Sequence, residues 1–479
     1  DIRRQRQMCI RDSYPFEEFD EQGARREADR FEASIAAEQP IFMDLATIED
    51  IYTYYRLQAE HGKAEQLMRY ALSLYPAQAD LHYKQALLLA DTGRPAQALE
   101  AIEEALHFQP LSIEYLAQKA RILAQNGRTR AAFRMLEEAL VQHNHSGELY
   151  YHLGVLHQQE KQYDQAIRAF EAALDTDAEY EFVLSDIIFC HELKSENQAA
   201  QQFLERYLDK DPFSVNAWYN LGMLHLAANR YEHAIEAFDY GLALQEDYTS
   251  LHLGKANALM ELERYDLAAR TLLEALSFDG RDISAMLNLA ECYEQLEQYK
   301  RARFYYRKLT ELYASLPDAW YGLGATLEAE GKHLQAIYYY KKATERYEEY
   351  YEAWVGIADC EYEVGNLLSA FEALSKAVEV MPDDYELWQD WAEKLYRDGH
   401  VENALELLKE GLDTNPEQID LMYQYAAYAL QAGQRQQGYT MLENALILDY
   451  EAHTVLFEYF PQLSSLKPVQ LLLKQYRPQ

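Results

Sequence analysis

Cys190, Cys292 and Cys360 are the side chains best suited to metal or redox chemistry in this chain, once Cys9 is set aside. A zinc site or a disulfide framework needs thiols brought together, and a C-x-x-C pair is its usual mark. The sequence contains none. Each cysteine instead stands where other copies of a recurring segment carry Leu88, Ile122, Leu156 or Leu224. Three thiols in equivalent but separate copies read as small core residues. His143 and His145 lie together without a third ligand close in sequence and read as a loop pair. No metal and no cofactor are expected.

Catalytic motifs are equally scarce. There is no phosphate-cradling glycine loop, no H-E-x-x-H and no G-x-S-x-G. With 80 Asp and Glu, two neighbouring carboxylates mark nothing by themselves. No catalytic residue is assigned, and the chain is expected not to be an enzyme.

Net charge narrows the partners. At −36 the chain repels nucleic-acid phosphates and anionic lipid heads, so neither nucleic acid nor membrane is an expected partner. No run approaches the roughly 18 apolar residues of a membrane helix, and no secretory leader opens the chain. These features favour a cytoplasmic protein. Residues 1–12, DIRRQRQMCIRD, are basic in an acidic chain. The run from Arg6 to Ser13 resembles translated read-through of a sequencing adapter, so 1–12 are expected to be a non-native segment; the alternative is a basic targeting arm.

The elements that must position any site come from an internal repeat. Ala217-Trp218-Tyr219-Asn220-Leu221-Gly222 recurs as Ala319-Trp320-Tyr321-Gly322-Leu323-Gly324, an offset of three times 34. Stepping by 34 from Leu45 yields twelve units ending at Ala452 without insertion or deletion. The twentieth position reads Ala64, Ala98, Ala132, Ala166, Ala200, Ala234, Ala268, Ala302, Ala336, Ala370, Ala404 and Gly438. Four residues on, the column is always large, from Met68 and Ile102 through Phe170, Phe238, Tyr306 and Tyr340 to Leu442. Spacing of i, i+4 sets notch and knob on one helix face. The eighth position is small in ten of twelve units, and four tryptophans share the fourth: Trp218, Trp320, Trp354 and Trp388.

Each unit therefore reads as a helical hairpin. Gly93, Gly127, Gly331, Gly365, Gly399 and Gly433 mark the turn, while Pro76, Pro110, Pro212, Pro382 and Pro416 close the second helix. One hairpin cannot bury its apolar stripe, so neighbours must stack into a continuous core. Residues 13–44 are expected to form an acidic lead-in and a capping helix over 24–36. Residues 453–479 should hold a helix from Thr454 to Phe460 and a closing helix from Pro468 to Tyr476 bearing Leu471, Leu472 and Leu473.

Length and column pattern resemble the tetratricopeptide repeat family across residues 45–452. The unbroken spacing, tyrosine richness and the lead-in Phe16-Glu17-Glu18-Phe19-Asp20 are similar to long family members from Bacteroidota. The resemblance implies an all-α fold, a right-handed superhelical solenoid of twelve hairpins with terminal capping helices. It implies binding through first helices, with positions 2, 5, 6, 9, 12 and 13 of each unit facing a concave groove.

On that grid, position 5 supplies Tyr83, Tyr151, Tyr219, Tyr321 and Tyr423. These rings either receive a partner or cover the next repeat. Units ten and eleven place Glu352, Asp359, Glu363, Glu386, Asp390 and Glu393 on the same face, with Arg397 as lone counter-charge. Such a wall either attracts a basic segment of a partner or is a solvated acidic face. Family members that clamp a chaperone C-terminal carboxylate use lysine and asparagine at groove positions. Here Asn220, Asn257 and Asn288 lack the lysines, because positions 2 and 5 hold Asn216, Ser250, Ser284, Tyr219, Leu253 and Leu287. That clamp is not expected. The function read from the sequence is a scaffold or adaptor binding other proteins or peptides along an extended groove. The rivals are a structural subunit of a fixed assembly and a peptide-sensing regulator.

Overall fold

The computed structural model describes residues 20–37, 39, 41–143, 145–176 and 178–477; the basic segment 1–12 lies outside them. Among the described residues every regular element is helical. First helices begin at Leu45, Ala79, Ile113, Gly147, Val215, Thr249, Ile283, Pro317, Tyr351, Tyr385 and Ile419, a 34-residue beat broken once. In the fifth repeat a 3-10 turn over Ala178–Phe182 takes the opening, and the α-helix runs Val183–Leu193. The chain forms two compact blocks, Asp1–Leu221 and Gly222–Gln479, and within each, successive helices pack as consecutive hairpins.

The small column explains the packing. All eleven alanines at the twentieth position are 0% exposed, and Gly438 is buried. A larger residue there would push the two helices of its hairpin apart. The large column four residues on fills the space between repeats. Where it is aromatic, glycine makes room: on one side for Phe170 (Gly154) and Tyr306 (Gly322), on both for Phe238 and Tyr340. In the C-terminal block the ring of Phe238 lies between Gly222 of its own repeat and Gly254 of the next; a Cβ on Gly254 would fall 2.5 Å from Phe238 Cζ, and one on Gly222 would be 2.8 Å from Cζ and nearer still to Cε1. Tyr340 sits the same way between Gly324 and Gly356.

Position 4 pins the loop between repeats. The indole N–H groups of Trp218, Trp320, Trp354 and Trp388 donate to the carbonyls of Pro212, Ala314, Glu348 and Pro382 at 2.8–3.0 Å. His82 and His252, at the same position, meet Pro76 O and Glu246 O at 2.9 and 2.8 Å. The ring thus satisfies a loop carbonyl two residues past the end of the preceding helix.

Turns inside the hairpins share one geometry. Six carry the glycines read from the sequence; the other six place Ala59, Lys161, Ser195, Asn229, Glu263 and Glu297 in the same left-handed conformation, at φ between 56° and 60°. The following N–H closes the helix by bonding five residues back, as in Arg264 N to Leu259 O at 2.8 Å. A side chain in that conformation costs about 1–2 kcal/mol, which glycine avoids at some entropic expense. Glu263→Gly and Glu297→Gly should each add about 1 kcal/mol of stability. Urea titration reads this as a higher midpoint, and an unchanged or lower midpoint for both would contradict it.

At the ends, the helix Glu21–Ala36 is capped by Asp20, which accepts from Gly23 N at 2.9 Å, and buries Ala24, Ala28 and Phe31. Its Phe31 ring lies 5.6 Å from Tyr70, and Glu32 accepts from Tyr55 Oη at 3.0 Å. After the twelfth repeat the expected helix from Thr454 to Phe460 is shorter: a 3-10 turn spans Glu451–Thr454 and the α-helix covers only Val455–Tyr459. Asp449 tightens that entry by accepting from Glu451 N at 2.8 Å. The last helix, Lys467–Tyr476, buries Val469, whereas Leu471 is exposed.

Candidate functional site

The tyrosines of position 5 divide. Tyr83, Tyr151, Tyr219 and Tyr321 are half-buried, each keeping part of its ring at the surface. Tyr83 stacks on Tyr115 at 4.9 Å, and burial together with the nearby Glu114 pushes its phenol up. Tyr151 meets Phe182 edge-on at 5.1 Å. Tyr321 is flanked by Tyr340 at 5.4 Å and Tyr350 at 5.3 Å, and burial pushes its phenol up to about 12. Tyr423 is a correction. It is 0% exposed, and its hydroxyl donates to Asp449 O at 2.8 Å, so it is a core residue that no partner reaches. Its repeat lies next to the C-terminal helices, whose packing covers the ring.

The acidic residues of repeats nine to eleven gather differently from the expected grid. In the C-terminal block a cleft of about 390 Å³ is lined by Glu328, Asp359, Tyr362, Glu363, Asp390, Glu393, Lys394 and Arg397. The structure thus brings together four of the six expected carboxylates. Glu352 and Glu386 do not join them, being in the first turns of their helices. Arg397 is not the lone counter-charge. Its guanidinium pairs with Glu393 at 2.5 Å, while Lys394 bridges Asp359 at 2.9 Å and Asp390. Burial pulls the Lys394 ammonium down, but the two carboxylates outweigh it and hold the group charged. Burial raises the Asp359 carboxyl against the pull of Lys394. Five carboxylates against two cations leave the lining at a formal −3.

Lys394 escaped the sequence reading because it occupies the tenth position, the column that holds Cys190, Cys292 and Cys360 in other repeats. Its stem starts in the core and its head reaches the cleft. Glu328 and Tyr362 stand at position 12 and were within reach of the grid. All three cysteines are buried, and burial pushes the Cys292 thiol up to about 12. A thiol so placed is a poor nucleophile. Among the described residues no group of three or more His, Cys, Asp or Glu could hold a metal. His145 pairs with Tyr150 at 2.8 Å rather than with His143. Asn288 donates to Asn257 Oδ1 at 2.7 Å, and Asn220 accepts from Ser185 at 3.3 Å, so these amides bond along the repeat stack. No helix of the described residues is long and apolar enough to cross a membrane.

Comparison with known proteins accords with this architecture. A family model described as tetratricopeptide repeat matches residues 123–182 and 327–395, and a second of the same description matches 55–113, 195–248 and 253–317. Superkiller protein 3 of Schizosaccharomyces pombe is 28% identical over 100 residues, covering 21% of this chain and 7% of that protein. The BBSome complex member BBS4 of Xenopus tropicalis is 27% identical over 176 residues, 34% of each chain. The chain thus spans well under two thirds of either curated relative. Among solved structures, YrrB, a TPR protein with an unusual peptide-binding site, is 22% identical and covers 39% of this chain and 96% of its own, with a TM-score of 0.33.

Proposed function

Because the chain belongs to the tetratricopeptide repeat family, whose repeats are generally protein-interaction modules, we propose that it is a non-enzymatic scaffold or adaptor of the cytoplasm. It holds partner proteins or peptides against its first helices, and one partner presents a basic segment. The observation that carries this reading is the acidic cleft of repeats nine to eleven. Its lining keeps a formal −3 after its internal ion pairs are made, on helices rather than loops. A lysine or arginine entering there finds carboxylates already oriented, and like charges on one wall reinforce each other. Asp359 and Asp390 are engaged by Lys394, which leaves Glu363 as an exposed acceptor. The likeness to members from Bacteroidota belongs to this reading too.

A Lys/Arg-rich peptide is the probe. Glu363→Lys combined with Glu393→Lys should weaken its binding by at least tenfold near 0.1 M salt, measured by fluorescence anisotropy. The wild-type affinity should fall as salt rises, since the contacts are exposed to screening. Peptide binding indifferent to both the charge reversal and salt would refute the basic-segment reading.

A second reading, a subunit of a fixed assembly, draws on one feature. Phe304, Leu334, Tyr338 and Leu368 are 56–75% exposed on the second helices of repeats eight to ten, away from the first-helix positions. Light scattering and recovery of stoichiometric partners distinguish the two.

A further inference from the structure

The third repeat departs from its neighbours at position 5. Where repeats two and four carry Tyr83 and Tyr151, it carries Ala117. A cavity of about 140 Å³ opens there, among Tyr83, Ala117, Gln118, Leu136, His152 and Leu156. That volume is close to the roughly 150 Å³ known to hold one benzene ring. All of its walls belong to the N-terminal block.

Gln118 gives the cavity its chemistry. The residue is only 7% exposed, and its Oε1 accepts from Arg121 Nε at 2.9 Å. Arginine can only donate, so this bond settles which end of the amide is oxygen. The other end, Nε2, is then a buried donor with no acceptor. Buried donors are nearly always satisfied, so this one asks for an oxygen.

Charge narrows the occupant further. Of the ionisable groups lining the space, Glu114 lies by the Tyr83 hydroxyl and Arg121 is bonded to Gln118, one anion against one cation. Burial pulls the His152 imidazole down to about 4, so it is neutral at pH 7. A charged side chain would find no net opposite charge and would lose its hydration. A phenyl ring would fit the apolar walls but leave Gln118 unmet. A phenol fits both.

We propose that this cavity is an anchor pocket for a tyrosine side chain of a partner polypeptide, its phenol oxygen accepting from Gln118 Nε2. The assignment rests on the adaptor reading and names what one part of the first-helix surface selects.

The test uses the full chain with 4-fluorophenol and 4-fluorotoluene as side-chain probes, titrated by fluorine NMR. Wild type should bind the phenol at least tenfold more tightly than the toluene. Gln118→Met, which keeps the volume and removes the donor, should bring the two within about twofold. Ala117→Tyr fills the cavity with the residue that repeats two and four already tolerate, and should abolish binding of both while circular dichroism is unchanged. Equal affinities in wild type, no binding at all, or binding that survives in Ala117→Tyr would overturn the pocket. So would an Ala117→Tyr protein that captures native partners as well as wild type does, and that result would leave the adaptor reading standing. A wild-type chain that binds the phenol but captures no partner would instead sink the adaptor reading.

Discussion

Gly254→Val should destabilise the protein by about 3 kcal/mol, the upper part of the range for overpacking a filled core. The Phe238 ring leaves no space for it: a Cβ at position 254 already falls 2.5 Å from Cζ, and Gly222 blocks retreat toward the opposite face. Phe238 is 0% exposed, so the ring cannot swing into solvent without opening the core. Phe238→Ala alone should cost about 3–5 kcal/mol, yet in its presence Gly254→Val should cost much less, because the new methyl groups enter the vacated space. The double-mutant cycle should return a coupling of at least about 1 kcal/mol. Additive losses in urea denaturation would mean that glycine is needed there for backbone reasons and that the sandwich is incidental.

Glu294→Gln should have the opposite sign. Glu294 is on the first helix of the eighth repeat; its Oε2 accepts from Tyr306 Oη at 3.1 Å, but its buried Oε1 has no partner. Burial pushes the carboxyl up to about 7, against the pull of the Tyr306 hydroxyl and with a smaller push from Glu291. The folded chain therefore holds this proton more tightly than the unfolded chain, whose carboxyl keeps its ordinary value near 4.5. Stability from this group is greatest below that lower value and is lost as pH rises through the window to about 7. Above pH 7 the loss is complete and amounts to about 3 kcal/mol. Glutamine carries no charge to desolvate and can still accept from Tyr306. The variant should thus gain about 2–3 kcal/mol at pH 8 and almost nothing at pH 4.5. A gain independent of pH, or a loss at pH 8, would show that Glu294 is solvated in the folded protein.

The small column at position 20 and the large one at position 24 were visible in the sequence because every repeat meets the same steric demand, and repetition makes the demand countable. The pairing of Phe238 with Gly254 was not, since the glycine belongs to the next repeat and the sixth position is glycine in only three of the twelve repeats. The left-handed turn was half legible: six glycines announced it, while Lys161, Glu263 and Glu297 adopt it without any local signal, between the two packed helices of their hairpins.

For the candidate site the division is similar. The first-helix carboxylates of repeats ten and eleven could be collected from the grid, as could the tyrosines of position 5. Whether a given ring meets solvent depends on what the neighbouring segment does, and Tyr423 is covered because the C-terminal helices fold over its repeat. Lys394 lay in a column that is mostly apolar elsewhere, so only the path of its stem shows that its ammonium pairs with two of the carboxylates of the cleft.

By itself, then, the order of residues determined the helical hairpin, its 34-residue period and the contact that alanine must make, because these arise between residues close in sequence and recur identically. Tertiary structure alone decided which side chains remain open to a partner, which charges are already paired and where a missing ring leaves a cavity. Those properties belong to neighbours from different repeats, whose identities vary independently, and only packing brings them together.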